Sequence, residues 1–205
     1  MNTALGQFVP EYISQTPEFY EYLLVAHPPQ EVNNQLKEEK ENFSSRYKVS
    51  IAKKTLLHIT AADFLAKEEM EETIIRYMRR IFSTQTSFWV TLNNYSGFPE
   101  HTVFARVQDH QPFNQLATSL KAIDQYIRSN GCPPIKLITY PHISIARRLQ
   151  QNIYEEAMFE YSQKTFYASF EVDELFLLKR KNQFDTYKQV NVFKLPSANS
   201  LFNRL

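Results

Sequence analysis

Glycine is scarce in this chain. Only Gly6, Gly97 and Gly131 occur among 205 residues, and they stand far apart. Neither a G-x-G-x-x-G dinucleotide turn nor a Walker phosphate loop can be written anywhere, so any phosphate chemistry must rest on side chains. Cysteine is scarcer still. With Cys132 alone, an internal disulfide and a Cys-x-x-Cys zinc or redox motif are both excluded, which agrees with a reducing, cytoplasmic setting. No apolar run approaches the roughly 18 residues of a membrane span, and Met1–Pro10 lacks the basic and apolar regions of a leader, so neither membrane nor export is expected. Charge of one sign is not in excess either: 23 Lys and Arg face 22 Asp and Glu, a net charge of +1. That is too balanced for a protein that neutralises many phosphates along a duplex, and it leaves a short or single-nucleotide ligand open.

What is present reads as an ordinary globular chain. Hydrophobic residues make up 43% of it, enough for a core that needs no disulfide or metal. Periodicity then sets out alternating short strands and amphipathic helices with no Gly/Ser linker. Glu21–Ala26 is a strand closed by Pro28-Pro29, and Gln30–Tyr47 carries Val32, Leu36, Phe43 and Tyr47 at helical spacing. Thr55–Thr60 is the next strand. A helix is expected from Asp63 as N-cap, with Met70, Ile74, Tyr77, Met78 and Ile81 as its buried stripe and four glutamates near its positive end. Ser87–Asn93 and Thr102–Gln108 read as strands joined around Ser96-Gly97. Phe113, Leu116, Leu120, Ile123 and Ile127 mark one helix ending at Asn130-Gly131. Strand Leu137–Ala146, helix Gln151–Lys164 and strands Phe166–Lys179 and Thr186–Leu195 complete the chain, with 196–205 as a tail.

One constant offset relates the halves. Adding 84, the separation of His58 and His142, carries each element from the first strand to the Ser87 strand onto one of its own type. Order kept at a single offset points to internal duplication, with repeats at about 20–93 and 104–177 inside one domain of residues 1–195. The expected fold is therefore α+β and bilobal, with helices outside mostly antiparallel sheets and a central cleft.

The same offset maps Leu57-His58-Ile59-Thr60 onto Pro141-His142-Ile143-Ser144-Ile145. In a strand, residues i and i+2 share a face, so each cassette offers one imidazole and one hydroxyl while Leu57, Ile59, Ile143 and Ile145 turn inward. Transfer at a phosphodiester needs a base for the attacking oxygen and an acid for the leaving one. Imidazole, with a reference pKa of about 6.5, serves as either at neutral pH. Thr60 and Ser144 can donate hydrogen bonds to the non-bridging phosphate oxygens. No metal and no cofactor is then required.

These residues resemble the two-histidine (2H) phosphoesterases, which include the bacterial 2',5' RNA ligases and the cyclic phosphodiesterases. Their mark is a pair of His-x-Thr/Ser tetrads about eighty residues apart on two strands of a bilobal α+β fold. His58-Ile59-Thr60 and His142-Ile143-Ser144 look like that pair, Pro141–Arg147 is similar to the second motif throughout, and Asn94–Arg106 looks like the connecting hairpin. After the first motif the chain reads Ala61-Ala62-Asp63-Phe64, without the glycine many members carry there. The resemblance implies a metal-independent phosphoesterase acting on 2',3'-cyclic or 2',5'-linked phosphates of RNA ends or small nucleotides. His58 and His142 would be catalytic, and Thr60 and Ser144 phosphate-binding.

Other residues fit that reading less directly. Arg147 falls out of phase with His142 in a regular strand, so a structural ion pair competes with a phosphate contact. Tyr140 has the right parity for the cleft and is also a common kind of buried strand tyrosine. Both are carried as cleft-lining candidates. His27, His101 and His110 read as loop residues beside prolines. No His-x-His or His-Glu-x-x-His spacing suggests a metal site. The expected partners are RNA 3' ends or a small cyclic nucleotide, with no long duplex and no membrane, bound by a monomer. Cassette symmetry leaves acid and base interchangeable, ligation and hydrolysis share one transition state, and a catalytically silent RNA-end binding module is the alternative.

Overall fold

Alternation of inward and outward side chains decides where each strand begins and ends in the computed structural model, which describes residues 19–50, 57–99 and 101–197. Strand β1 (Phe19–Ala26) buries Tyr22, Leu24 and Ala26 completely on one face. Helix α1 (Gln30–Tyr47) follows, then β2 (Ile59–Lys67), a 3-10 turn at Glu68–Met70 and α2 (Glu71–Phe82). β3 (Phe88–Phe98) and β4 (Thr102–Val107) form a hairpin, and α3 (Gln111–Ser119) and α4 (Lys121–Ser129) come next. The chain ends with β5 (Lys136–Leu137), β6 (His142–Arg147), α5 (Gln151–Tyr161), β7 (Tyr167–Val172), β8 (Glu174–Arg180) and β9 (Lys188–Lys194).

The strands make two antiparallel sheets, one of five strands in the order β5-β2-β1-β8-β9 and one of four in the order β6-β4-β3-β7. At the offset of 84, β1 corresponds to β4, β2 to β6 and β3 to β8. Three neighbours of each sheet, β2-β1-β8 and β6-β4-β3, are thus the same equivalent strands in the same order. The third strand in each trio comes from the other half of the chain. Helices follow the same exchange. α2 closes the outer face of the five-stranded sheet, through Tyr22 Oη donating to Glu71 (2.9 Å) and Phe82 packing edge-on against Phe193, and α3 meets β2 beside it. α1 and α5 cover the four-stranded sheet, α1 touching β6 and α5 touching β3 and β4. Between those two helices the buried Glu39 accepts from Tyr161 Oη and from Lys164 Nζ (2.7 Å), and Glu160 accepts from Tyr47 Oη (2.7 Å). The architecture is the bilobal, duplicated α+β arrangement expected from element order.

Several boundaries differ from the periodicity reading. Asp63 is no N-cap: β2 runs on to Lys67, with Ala62, Phe64 and Ala66 buried and Asp63 and Leu65 turned out, a period of two that pairs with β1. Tyr77 leaves the buried stripe of α2 and packs edge-on against Tyr126 at the surface, while Phe82 is buried in its stead. Ser96-Gly97 is strand; the reversal follows Phe98, where His101 N donates to the Phe98 carbonyl. The Phe113–Ile127 helix splits at Leu120 because Thr118 and Ser119 hydroxyls donate back to the Asn114 and Leu116 carbonyls (3.0 and 2.7 Å), competing with the helix ladder. Its five apolar residues are all buried, as expected. Leu137–Ala146 and Phe166–Lys179 each break where the chain changes sheet, at 138–141 and at Asp173. The Thr55–Leu56 start of the second strand, Met1–Pro10 and most of the 196–205 tail lie outside the described residues. Pro196 itself accepts from Ser87 N (2.9 Å).

Gly97 permits a close approach of α5 to β3. A Cβ there would lie 2.5 Å from Tyr154 Oη and 2.8 Å from Met158 Sδ. Replacing Gly97 by Ala must therefore displace a ring and a thioether, and overpacking of this kind costs about 1–3 kcal/mol. The expected outcome in a thermal melt is a fall of about 2–4 °C in Tm for each kcal/mol; an unchanged Tm would show that α5 yields freely.

Candidate active site

Both histidine cassettes sit at the start of equivalent strands. Leu57 and Ile59 are buried while His58 and Thr60 are partly open, and Ile143 and Ile145 are buried while His142 and Ser144 are partly open. The pleat thus sorts each cassette as its parity demands. His58 lies one residue before β2, and His142 opens β6.

Each strand then carries a bulge at the same place. In β2 the register with β1 passes from Thr60↔Val25 to Ala62↔Leu24, leaving Ala61 extra. In β6 it passes from Ser144↔Phe104 to Ala146↔Val103, leaving Ile145 extra. Ala61 and Ile145 are equivalent at the offset of 84. A bulge shifts the phase of every residue beyond it. Arg147, out of phase in a regular strand, returns to the face of His142 and Ser144, and its Nε donates to Ser144 Oγ at 2.7 Å. Asp63, its counterpart, returns to the face of Thr60. The two are opposite in charge.

The bulged residue of the first cassette also guides the second. Ala62 pairs with Leu137 of β5, the Ala61 carbonyl accepts from Ile138 N (3.0 Å), and the chain then crosses to the other sheet and reaches His142. β2 and β6 touch each other.

Around His142 the surroundings are aromatic. Its ring lies 4.9 Å from those of Phe98 and Phe104, and its Nδ1 donates to the Tyr140 carbonyl at 2.9 Å. A carbonyl only accepts, so the neutral ring carries its proton on Nδ1 and leaves the Nε2 lone pair available. Burial pushes the His142 pKa below the ordinary imidazole value, the Tyr140 hydrogen bond opposes this, and the Arg147 charge adds to the lowering. Tyr140 is 45% exposed and packs on Phe98, Phe104 and His110; it is a surface residue beside His142 rather than a buried strand tyrosine. Lys40 of α1 also faces Arg147: burial lowers its pKa first, and the Arg147 charge lowers it further.

His58 has a different neighbourhood. His27, set aside as a loop residue by its place before Pro28-Pro29, stands edge-on to His58 with centroids 6.3 Å apart and packs on Phe176 at 4.8 Å. Its Nδ1 donates to the Leu57 carbonyl at 3.0 Å. His110 takes a related place in the other half, bonding through Nε2 to the Val107 carbonyl and packing on Tyr140. Both follow the first strand of their half, within one residue of the common offset, and that coincidence was the available signal. His101 contacts the Thr102 hydroxyl in the hairpin reversal and meets neither cassette in this way.

Asp63 faces a polar cluster at the far end of the first cassette. Arg180 grips Glu21 with Nε and a terminal nitrogen (2.6 and 2.5 Å), and Tyr187 Oη donates to the same carboxylate. Burial raises the Asp63 pKa, Glu21 raises it further, and Lys136 and Arg180 pull it down. Among the described residues, no three His, Cys, Asp or Glu side chains are grouped so as to hold a metal ion, and no helix is long and apolar enough to cross a membrane.

Solved structures share this arrangement. Escherichia coli LigT in complex with 3'-AMP superposes with a TM-score of 0.62 at 19% identity, over 87% of this chain and 99% of that one. TT0787 of Thermus thermophilus gives 0.64 at 18% identity, over 87% and 99%, and LigT with NADP+ gives 0.58 at 19%, again over 87% and 99%. Likeness at such identities establishes the fold. No curated protein matches the chain in sequence. The family model of the 2'-5' RNA ligase superfamily, however, matches residues 28–183, a span that takes in both histidine cassettes and both bulges, and the chain accordingly belongs to that superfamily.

Proposed function

We propose that the protein is a phosphoesterase acting on 2',3'-cyclic or 2',5'-linked phosphates of RNA ends or small nucleotides, with His142 as general base and His58 as general acid. The observation that carries the assignment is the asymmetry of the two cassettes. Burial and the Arg147 charge both favour the neutral form of His142, whose Nδ1 bond to Tyr140 leaves Nε2 to accept a proton. In hydrolysis of a cyclic phosphate, His142 takes a proton from the attacking water as the new P–O bond forms, and His58 gives one to the ribose oxygen as the old bond breaks. A ribose hydroxyl in place of water makes the same step a ligation. Thr60 and Ser144 donate to the non-bridging oxygens, where charge must be held through the transition state. Arg147, on the same face as Ser144 and bonded to it, supplies a fixed positive charge there. LigT has been crystallised with 3'-AMP, a phosphomonoester of the kind that opening a 2',3'-cyclic phosphate leaves. The lone, buried Cys132 suits a reducing compartment, and we take the enzyme to act in the cytoplasm as a monomer.

Turnover of a 2',3'-cyclic nucleotide tests the roles. His58→Ala and His142→Ala should each lower kcat by about 10²- to 10⁴-fold, the usual loss for a general acid or base, with thermal unfolding unchanged. Thr60→Val and Ser144→Ala should cost less, and chelator should leave the rate as it was. Full activity in either histidine variant, or loss only through unfolding, would remove the catalytic assignment and leave a silent end-binding module.

The pH profile should be bell-shaped, and its acid limb should lie below about pH 6.5, the ordinary imidazole value, because the base must be neutral and its folded pKa is lowered. Arg147→Gln removes one cause of that lowering, so the His142 pKa rises and the acid limb moves to higher pH. An acid limb unmoved in Arg147→Gln, or moved to lower pH, would assign it to another group.

A further inference from the structure

Among the described residues, α1 and α5 pack on one face of the four-stranded sheet. Its other face, the one carrying His142, continues across β4, β3 and β7 as an open surface with two exposed rings, Trp89 at 65% and Tyr167 at 70% exposure. Register places them. His142 pairs with Arg106, Arg106 Nε donates to the Asn93 carbonyl at 3.2 Å, and Asn93 pairs with Tyr167. These residues form a line across the strands from the candidate site, roughly 14 Å from His142 to Tyr167 at the usual strand spacing, or about four stacked nucleotides. Trp89 points the same way four residues along β3, since Val90 and Leu92 between them face the core.

The surface is built rather than incidental. Asn94, in the left-handed conformation (φ 60°), exchanges two hydrogen bonds with Phe166, its amide donating to the Phe166 carbonyl (2.7 Å) and its side-chain oxygen accepting from Phe166 N (3.1 Å). This fixes the start of β7 and with it Tyr167. Asn93 Nδ2 donates to Gln108 Oε1 (3.2 Å) beside Arg106. Between the rings stand hydroxyls, Thr91 and Ser169, 3.3 Å apart. Glu171, which pairs with Trp89, adds an exposed carboxylate on the outer strand, so the positive charge of the face gathers on the His142 side, at Arg106 and Arg147. Exposed aromatics on an open sheet, interleaved with amides and an arginine, are what unstacked bases and their backbone require.

We propose that this face binds the single-stranded RNA leading to the phosphate end, with Trp89 and Tyr167 stacking on its bases and Arg106 meeting its backbone. The proposal rests on the reading above only in taking the end to lie at His142. It makes the substrate a short oligoribonucleotide rather than a free cyclic nucleotide.

Trp89 is the only tryptophan in the chain, so intrinsic emission reports on that ring. An octameric oligoadenylate with a 3'-phosphate should quench it on titration into the full-length protein, whereas 3'-AMP should not. Tyr167→Ala should weaken octamer binding by about 5- to 150-fold, the loss expected for one stacked base, and Tyr167→Phe should keep it. With Arg106 and Arg147 as the cations of this face, the slope of log K against log salt should lie near −1.4, at about −0.7 for each phosphate contacted. Octamer and 3'-AMP binding alike, with no quenching, would overturn the proposal even if the cyclic nucleotide is turned over. Quenching by the octamer without turnover would support this surface and overturn the catalytic reading instead. A blue shift that depends on protein concentration alone, with a dimer in sedimentation, would assign the face to a second copy and also overturn it.

Discussion

Neither sheet can be completed by its own half of the chain. The five-stranded sheet takes β8 from the second half to lie beside β1, and the four-stranded sheet takes β3 from the first half to lie beside β4. An unpaired strand edge leaves a row of backbone donors and acceptors unsatisfied, so each half supplies what the other lacks. Helices reinforce the exchange, because α1 leaves its own strand to pack with α5 behind the opposite sheet, held by the Glu39 and Glu160 clusters. Most stabilising contacts therefore join residues far apart in sequence, and the two histidine strands cannot drift independently of one another.

Within that frame the two bulges decide which side chains share the face of each histidine cassette. A pleated strand shows every second residue to one face; an extra residue resets the count. The resets at Ala61 and Ile145 return a charged residue to the face of each cassette, Asp63 in one and Arg147 in the other. Duplication supplies matching imidazoles and hydroxyls, and divergence at this equivalent position sets opposite charges beside them. Arg147 bonds to Ser144 and, after burial, adds to the lowering of the His142 pKa, while Asp63 faces a cluster of Glu21, Lys136 and Arg180.

The sheets also differ in what their open faces carry. Beside His58 stands another imidazole, His27, itself packed on Phe176. From His142 the surface runs through Arg106 and Asn93 to exposed rings, Trp89 on β3 and Tyr167 on the outer strand β7. Large aromatic side chains left in water are informative because burial would stabilise each of them by a few kcal/mol.

Local sequence determined a good deal of this. The scarcity of glycine excluded backbone phosphate loops, parity sorted both cassettes into core and open faces, and the common offset anticipated the equivalent elements, because these depend on side-chain type and a period of two or 3.6 that no distant contact alters. Tertiary structure alone decided the rest. Leu137–Ala146 and Phe166–Lys179 read as single strands, since nothing local marks a change of sheet; only the competition for backbone partners breaks them. Asp63 reads as a helix cap until β1 pairs with it, and neither the return of Arg147 to the Ser144 face nor the contact of the loop residue His27 with His58 is legible locally, because a bulge and a neighbour from another segment exist only once two strands have met.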